Sequence, residues 1–475
     1  MLKTARHALL ALLALGVATS GVSRADDSAV LEFLDGGALS TEFSVSLGFL
    51  YGAGSRADGL GTPVSTLRSG VGGVSGNPAG LAFLESGGIV LDVLPPLGVS
   101  PSSFIDVDAR TAEGIDDAIE DIAADGLVPE YPSIDAVVGQ RSGVVSGAFA
   151  IRLGPIVAGA AVDEPASIHL DFVETGIEAF AQTVKEEGGD DVDIAVRCLL
   201  DATANIRLEI DRVTLAAGTR VGDAFGLGAS VSRYRAAGSV SGVVRADGII
   251  DYGGQEYAFN DPSDPWPNRL DQSIEGSYEG DAIGWTAGAT WRATDFLTLD
   301  VAYASGPEIR LDGSLTAIEN TLPGLEDGEF DADAISASQP TLTETEETVE
   351  ELPLTIAFPS YLGAAVSLRA GPVLTSIEYR RYDGAFSYDY DGRTEGIEVS
   401  DGLGLAVDFG AVWLGGGVLR GEIVGDDVEK DGTGEILAPV ASCGFGIGLA
   451  ENVTLESLVL ALPLQVMRVS IGYSF

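Results

Sequence analysis

Large apolar residues alternate with small or polar residues through the end of the chain. The odd positions from Met467 to Phe475 are apolar or aromatic, whereas the even positions from Arg468 to Ser474 are polar, small or charged. Because successive side chains of a strand point to opposite faces, this alternation predicts a strand with one apolar and one wet face. We therefore expect one face of the protein to meet lipid.

The same alternation recurs in the interior as a hairpin. At the odd positions of residues 283–291 the side chains are Ile, Trp, Ala, Ala and Trp, whereas the even positions hold Gly or Thr. Residues 293–296 predict a tight turn, after which residues 297–304 alternate again. Such segments of about nine to eleven residues, joined by short turns on one side and long loops on the other, are typical of transmembrane β-barrels.

Turn residues predict the number of strands. Gly, Pro, Asn and Asp are the residues that tight turns require. They mark further turns near residues 153–155, 222–225, 371–372, 410–411 and 451–452. With the turn at 293–296, a first strand near 88–97 and a last strand near 464–475, the count is about fourteen. The predicted fold class is therefore all-β, a transmembrane antiparallel β-barrel with both ends on the short-turn side.

Two of the long connections contain apolar residues at helical spacing. These residues are Ile115, Ala118, Ile119, Ile122 and Ala123 in one connection, and Leu170, Val173, Ile177, Phe180 and Val184 in the other. We expect helical segments in these two extracellular loops, which either cap the pore or pack on the barrel rim. A third connection, residues 311–352, has an acidic run from Glu344 to Glu351 and predicts a solvated loop.

The first residues have the pattern of an exported chain. Lys3 and Arg6 lie beside an apolar run of about ten residues, and residues 23–25 form a small-x-small cleavage site, so residues 1–25 predict a signal peptide. No later stretch has the ~20 apolar residues of a membrane helix. A closed barrel is compatible with this, because closure satisfies the backbone polar groups in lipid. We expect an N-terminal hatch or plug at residues 26–86 and the barrel at 87–475.

The chain is strongly acidic. Without residues 1–25, which hold three basic residues and no acid, 23 basic residues face 72 acidic ones, a formal charge of −49. Such a charge repels nucleic acid, and that class of partner is excluded. We expect the acids on solvated loops, with specific cation sites as the alternative. No ligand spacing predicts a metal site, and no cofactor is expected.

The scarcity of histidine and cysteine limits the chemistry. His169 is the one imidazole outside the predicted signal peptide, and a lone loop histidine is more typical of a solvated side chain than of a general base. We therefore expect no enzymatic activity. Cys198 and Cys443 lie far apart in sequence. An exported compartment permits a disulfide, but sequence does not determine whether the two meet.

A Gly-rich segment with a short motif precedes the first strand. Residues 54–61 are rich in Gly, and Asn77, Pro78, Ala79 and Gly80 follow shortly before the strand. This pattern resembles the N-terminal hatch of the FadL/TodX-type outer-membrane transport family. A second resemblance is the sequence Phe358-Pro359-Ser360-Tyr361-Leu362-Gly363, which enters a downward strand. The paired acids common in the family before Asn-Pro-Ala are missing here, because residues 68–76 contain no acid.

The resemblance implies an outer-membrane channel for hydrophobic compounds such as long-chain fatty acids, with a lateral exit beside a kinked third strand near residues 154–162. A barrel of this size has a lumen too wide for its own side chains to fill, so a plug is expected. Residues 77–80 would anchor that hatch; the alternative is an ordinary turn into the first strand. The implied partners are hydrophobic small molecules, outer-membrane lipid and lipopolysaccharide, and the assembly machinery, which would read Tyr473 and Phe475.

A fatty-acid carboxylate requires a buried cation. The face assignment points Arg292, Arg369, Arg380 and Arg468 inward, and Arg380 and Arg468 are the stronger candidates because they lie near mid-strand. Glu378 beside Arg380 leaves a structural ion pair as an equally weighted alternative.

Two other functions use the same fold. The barrel could be a secretion-system partner or structural outer-membrane protein, which an exposed apolar patch on the loops would favour. It could also be an open, cation-preferring porin, which an acidic lumen and a large conductance would indicate. The fold alone does not decide between these functions.

Overall fold

The structure is a computed structural model. It describes residues 30–35, 38–46, 70–94, 133–138, 143–187, 190–259, 270–321, 325–326, 329–330, 343–350, 354–390, 393–424, 435–461 and 465–475. The predicted signal peptide and the predicted loop helix at 115–123 lie outside these ranges. Within them, no helix is long and apolar enough to cross a membrane.

The strands are numbered in chain order. They are β1 (Val30–Asp35), β2 (Ala38–Ser46), β3 (Gly88–Leu94), β4 (Ser133–Val138), β5 (Gly143–Leu153), β6 (Ile156–Glu187), β7 (Asp190–Val221), β8 (Phe225–Tyr252), β9 (Gln255–Phe259), β10 (Leu270–Arg292), β11 (Leu297–Ala304), β12 (Glu308–Thr321), β13 (Leu325–Glu326), β14 (Glu329–Phe330), β15 (Thr343–Glu350), β16 (Leu354–Ala357), β17 (Ser360–Ala370), β18 (Val373–Asp383), β19 (Ala385–Tyr390), β20 (Arg393–Asp408), β21 (Val412–Val424), β22 (Glu435–Ala450), β23 (Val453–Ala461) and β24 (Gln465–Ser474).

Antiparallel pairing joins fourteen wall strands into a closed barrel, as the turn count predicts. Their order is β3, β5, β6, β7, β8, β10, β11 with β12, β16 with β17, β18 with β19, β20, β21, β22, β23 and β24. Three wall strands carry two labels because each is interrupted once. The barrel closes where β24 pairs with β3, from Ser474↔Gly88 to Val469↔Val93.

Short turns close one end of the barrel at the predicted positions. Gly154, Gly222, Gly371 and Gly410 have φ values of 67°, 65°, 62° and 94°, in the left-handed region that favours glycine. The predicted hairpin at residues 283–304 pairs in regular register from Arg292↔Thr298 to Thr286↔Ala304. Because bacterial barrels carry their short turns on the periplasmic side, the opposite end faces outward from the cell.

The two faces of the wall have opposite character. On the outward face, Ile283, Trp285 and Leu362 are 70%, 50% and 53% exposed. On the inward face, the buried Thr290 hydroxyl donates to Asp300 Oδ1 at 2.7 Å. An apolar outer belt with polar side chains such as Thr290 and Asp300 on the inward face is the pattern of a barrel in lipid.

The predicted helix in the connection at residues 164–205 is wrong, because these residues continue as strands. β6 and β7 have 32 residues each and pair along their length, about three times what a membrane crossing needs. Ala166, Ile168 and Phe172 are buried and all lie at even positions. The apolar residues of this segment therefore fit a period of two as well as the helical spacing. Pairing with a neighbouring strand favours the period of two. Cys198 accordingly lies in β7, and Cys443 on β22 is a free, exposed cysteine.

Most of the acidic run also lies in a strand rather than a loop. β15 pairs antiparallel with β12 from Thr343↔Thr321 to Glu350↔Ser314. Charge density predicts a solvated segment, but it does not reveal that a neighbouring strand offers backbone partners. Glu351 lies outside the described residues.

Candidate functional site

The motif before the first wall strand forms a short, buried turn of helix. The 3₁₀ helices Val71–Val74 and Pro78–Phe83 lie in this segment, and Asn77 precedes the second one. Its Oδ1 accepts a hydrogen bond from the Ala79 N–H at 3.1 Å. Pro78 occupies the first helical position, where its missing N–H is not needed. Asn77, Pro78, Ala79 and Gly80 are all buried.

A row of inward-facing glycines supports this helix. Gly218, Gly228 and Gly288 are paired neighbours on β7, β8 and β10. A Cβ on Gly218 would lie 2.7 Å from the Pro78 carbonyl oxygen and 2.9 Å from the Ala82 nitrogen. The helix therefore rests directly on the backbone of the wall, near its short-turn end. The sequence signal for this row was glycine at the inward positions of three successive strands.

Arg380 lies inside the barrel, as its face predicts, and forms a buried ion pair. Its Nε donates to Glu378 Oε1 at 2.7 Å and its Nη1 donates to the Tyr382 hydroxyl at 2.9 Å. Arg380 and Glu378 are 6% and 1% exposed. The guanidinium also lies 5.8 Å from the centre of the Tyr361 ring. These contacts correspond to the ion-pair alternative.

Arg468 also lies inside, at the seam where the barrel closes. Its Nη1 is 4.0 Å from Oδ2 of the fully buried Asp92 on β3. Asp92 accepts hydrogen bonds from the Ser146 and Ser470 hydroxyls. One carboxylate thus joins β5, β3 and β24, so that Arg468 belongs to a structural cluster.

Arg292 and Arg369 lie near the short-turn end and are exposed. The Arg292 guanidinium stacks 3.9 Å from the centre of the Phe83 ring, and Arg220 approaches the same ring at 4.9 Å. Arg292 and Arg220 therefore flank the helix Pro78–Phe83. The four predicted arginines therefore do not form one ligand site.

An aromatic and aliphatic cluster occupies the inner side of the wall. The Phe358 ring lies 5.5 Å from Tyr234 and 5.1 Å from Phe386, measured between ring centres. Ile309 and Ile356 are among the other buried members. In the sequence, Phe358 is visible only as the first residue of the motif at 358–363. The cluster was missed because its members come from strands far apart in sequence.

A second buried ion pair lies beside this cluster. Arg212 Nε donates to Asp163 Oδ1 at 2.7 Å, Nη2 donates to Oδ2 at 2.5 Å, and Nη1 lies 3.4 Å from the Tyr234 hydroxyl. This two-point arrangement matches the geometry of guanidinium and carboxylate. The sequence gives no signal for it beyond the inward position of Arg212.

The wall is interrupted in three neighbouring strands rather than at the third strand. The breaks lie at residues 305–307, at 358–359 and at Gly384, whose φ is 91°. The Phe358 N–H donates to the Pro307 carbonyl oxygen at 3.0 Å. In contrast, β5 and β6 pair without a gap from Leu153↔Ile156 to Ser146↔Asp163. The β6–β7 register shifts just beyond this segment, between Asp163 and Ala166, and the lateral exit implied near residues 154–162 stays a prediction.

The final aromatic residues lie on the outer surface. Tyr473 and Phe475 are exposed, and their ring centres are 6.2 Å apart. The Phe475 N–H donates to the Gly87 carbonyl oxygen at 3.0 Å. The terminus is thus tied to the chain just before β3, and its reading by assembly machinery remains a prediction.

Together, the closed strand pairing and the outward apolar belt define a fourteen-stranded β-barrel of the outer membrane. No protein-family model and no curated protein matches the sequence.

Several solved structures are similar. The toluene transporter TbuX of Ralstonia pickettii is 14% identical, with a TM-score of 0.45 over 90% of this chain and 98% of that one. A FadL homologue of Pseudomonas aeruginosa is 14% identical, with a TM-score of 0.45 over 91% and 98%. The CymD monoaromatic hydrocarbon channel is 14% identical, with a TM-score of 0.46 over 90% and 98%.

Proposed function

We propose that this protein is an outer-membrane channel for the uptake of hydrophobic compounds. The supporting observation is the buried cluster around Phe358, Tyr234 and Phe386 on the inner side of the wall. Lumens that conduct water and ions are lined by polar side chains. An aromatic cluster inside the barrel instead favours ligands that gain from leaving water.

The inward-facing arginines of the barrel wall favour uncharged ligands over fatty acids. Arg380 and Arg212 already bind the carboxylates of Glu378 and Asp163. A ligand carboxylate that displaced either acid would leave it buried without its cation, which typically costs several kcal/mol. We therefore place aromatic or other uncharged hydrophobic compounds first, and long-chain fatty acids second.

We also propose that residues 70–84 close the short-turn end of the lumen as a hatch. The direct contact between the helix Pro78–Phe83 and the glycine row supports this role, because small residues on the wall allow the helix to pack closely against the wall backbone. Opening would then require the helix to leave its seat rather than the wall to unfold.

Binding measurements test the ligand class. We would titrate the refolded barrel in detergent with toluene and, separately, with palmitate. A Phe358→Ala variant should weaken toluene binding by roughly tenfold, which corresponds to ~1.4 kcal/mol. Phe409→Ala is the matched control because Phe409 is 52% exposed on the outside. Tighter binding of palmitate, lost in Arg380→Ala, would reverse our order of ligands.

Conductance distinguishes the other functions. A hydrophobic channel with a closed hatch should conduct ions poorly in a planar bilayer. A large, cation-selective conductance would instead favour the porin. Low conductance without binding of either ligand would favour a structural or secretion-system role.

A further inference from the structure

The second and third wall strands separate on the outer side of the membrane belt. β5 and β6 stay paired as far as Ser146↔Asp163. β6 then continues to Glu187 and remains paired with β7 on its other edge. In the described part of the chain, β4, which precedes β5, pairs with β2 and not with β6. The outward apolar positions Ile156 and Val162 lie below this separation.

A strand from the N-terminal segment lies in the resulting gap. Nine residues of β2 pair antiparallel with residues 167–175 of β6. Six of them also pair with residues 133–138 of β4, in what is the one parallel ladder among the described strand pairs. β1 continues along the same edge of β6, at residues 178–182. β2 thus occupies the gap and pairs with β4 on one side and with β6 on the other.

Without β2, two strand edges would face each other unpaired. Backbone N–H and C=O groups on such edges are ready templates for another chain, and an extended peptide binds by adding a strand to them. A site with two edges is more selective than one, because the incoming strand must be parallel to β4 and antiparallel to β6 at once. It also supplies hydrogen-bond partners for both sides of the peptide backbone.

The sequence of β2 suits this position. Residues 38–46 read Ala-Leu-Ser-Thr-Glu-Phe-Ser-Val-Ser, which alternates small or polar residues with mostly larger ones and contains no Gly or Pro. Ala38, Ser40 and Glu42 are exposed. Such alternation is typical of a strand with one solvated face.

We propose that the edges of β4 and β6 form a binding site for an extended peptide strand, which residues 38–46 of the same chain occupy. The ligand class is an unbranched peptide of about nine residues with alternating polarity and no proline. The proposal concerns the outer rim of the barrel and does not depend on which compound the lumen carries.

Disulfide trapping tests the register in the full chain. Ser40 and Val173 are backbone partners with exposed side chains, so Ser40→Cys with Val173→Cys should cross-link on mild oxidation. Ser40→Cys with Thr175→Cys is the matched control, because Thr175 is two residues out of register on the same edge. Both pairs would be placed in a Cys198→Ser, Cys443→Ser background. We expect at least tenfold faster cross-linking of the in-register pair, and equal rates would overturn the proposal.

Peptide binding tests the site itself. A variant lacking residues 30–46 should bind a labelled synthetic peptide of residues 36–48 saturably, and the full chain should bind it at least tenfold more weakly because its site is occupied. The same peptide with Thr41→Pro and Phe43→Pro should lose binding, since each proline removes a backbone donor. Heat-dependent gel mobility reports whether the deletion variant is folded. A folded variant that binds neither peptide would overturn the proposal, because it would indicate that β4 and β6 close on each other. If the variant does not fold, the cross-linking rates decide alone.

Discussion

The close contact between Gly218 and the short helix Pro78–Phe83 leads to a testable prediction. In Gly218→Ala, the new Cβ would lie 2.7 Å from the Pro78 carbonyl oxygen, whereas ordinary van der Waals contact begins at 3.4 Å. The helix must therefore withdraw by about 0.7 Å or leave its seat. Overpacking of this kind costs about 1–3 kcal/mol. A cost of this size favours the displaced helix by roughly 5- to 150-fold.

Single-channel recording in planar bilayers measures the result. We expect Gly218→Ala to raise the open probability for small ions, while the heat-dependent gel mobility of the barrel is unchanged. Gly238→Ala is the matched control, because its Cβ would make ordinary contacts of 3.5 Å or more with the neighbouring strands β7 and β10. The control also captures any general effect of replacing glycine by alanine in a strand.

Equal open probabilities of Gly218→Ala and Gly238→Ala would contradict this prediction. That result would mean that the helix does not control the lumen, or that it withdraws by about 0.7 Å without opening a path. A larger substitution, Gly218→Leu, distinguishes these two explanations because no small shift accommodates it.

Three further predictions concern buried charge. Asp92→Ala should lower the free energy of unfolding by about 3–5 kcal/mol in urea titration, because it leaves Arg468 buried at the seam without the Asp92 carboxylate. Asp92→Asn removes the same charge and should cost a similar amount; a much smaller cost would argue against the ion pair and assign the effect to the hydrogen bonds with Ser146 and Ser470. Arg380→Met should lower the free energy of unfolding by a similar amount, because it leaves Glu378 buried without its cation. The double variant Glu378→Met with Arg380→Met should recover most of that loss. A double variant as unstable as Arg380→Met would assign Arg380 a separate role. Glu174 lies on β6 beyond the membrane belt, and burial raises its pKa from 4.5 to about 7. Its stabilising contribution is therefore present below pH 4.5 and is lost as the pH rises through 7, by about 3 kcal/mol; Glu174→Gln should flatten this dependence in unfolding curves recorded from pH 4 to 8.

The wall was predictable from sequence because its signals are local. Alternation at residues 283–304 fixes the faces of one hairpin, and turn residues such as Gly222 and Gly371 mark the turns of other hairpins. Counting such turns gives the strand number, and an even count is what a bacterial barrel requires. The Glu378 and Arg380 pair was also accessible, since residues two apart on a strand share a face.

Features that depend on distant register were not predictable. The glycine row requires the alignment of Gly218, Gly228 and Gly288 across three strands. The length of β6 and β7 was not predicted because apolar residues in their outer halves fit both the helical period and the strand period of two. The inserted β2 was missed because its partners, β4 and β6, are separated from it by the first wall strand.

The N-terminal segment contacts the wall at two levels, and the chain between them is long enough to keep the contacts independent. Residues 47–69 number 23 and can span at most about 80 Å. Ser46 pairs with Ser167, whereas Gly159 contacts Val74 of the short 3₁₀ helix Val71–Val74, and these two β6 residues are only about 26 Å apart along the strand. The length of the connecting sequence exceeds this distance about threefold, so movement of the proposed hatch need not pull β2 from its gap. Gly218→Ala should therefore raise the open probability to the same extent whether or not β2 is cross-linked to β6. If the cross-link abolished the increase in open probability, the proposed hatch and the inserted strand β2 would instead move as one unit.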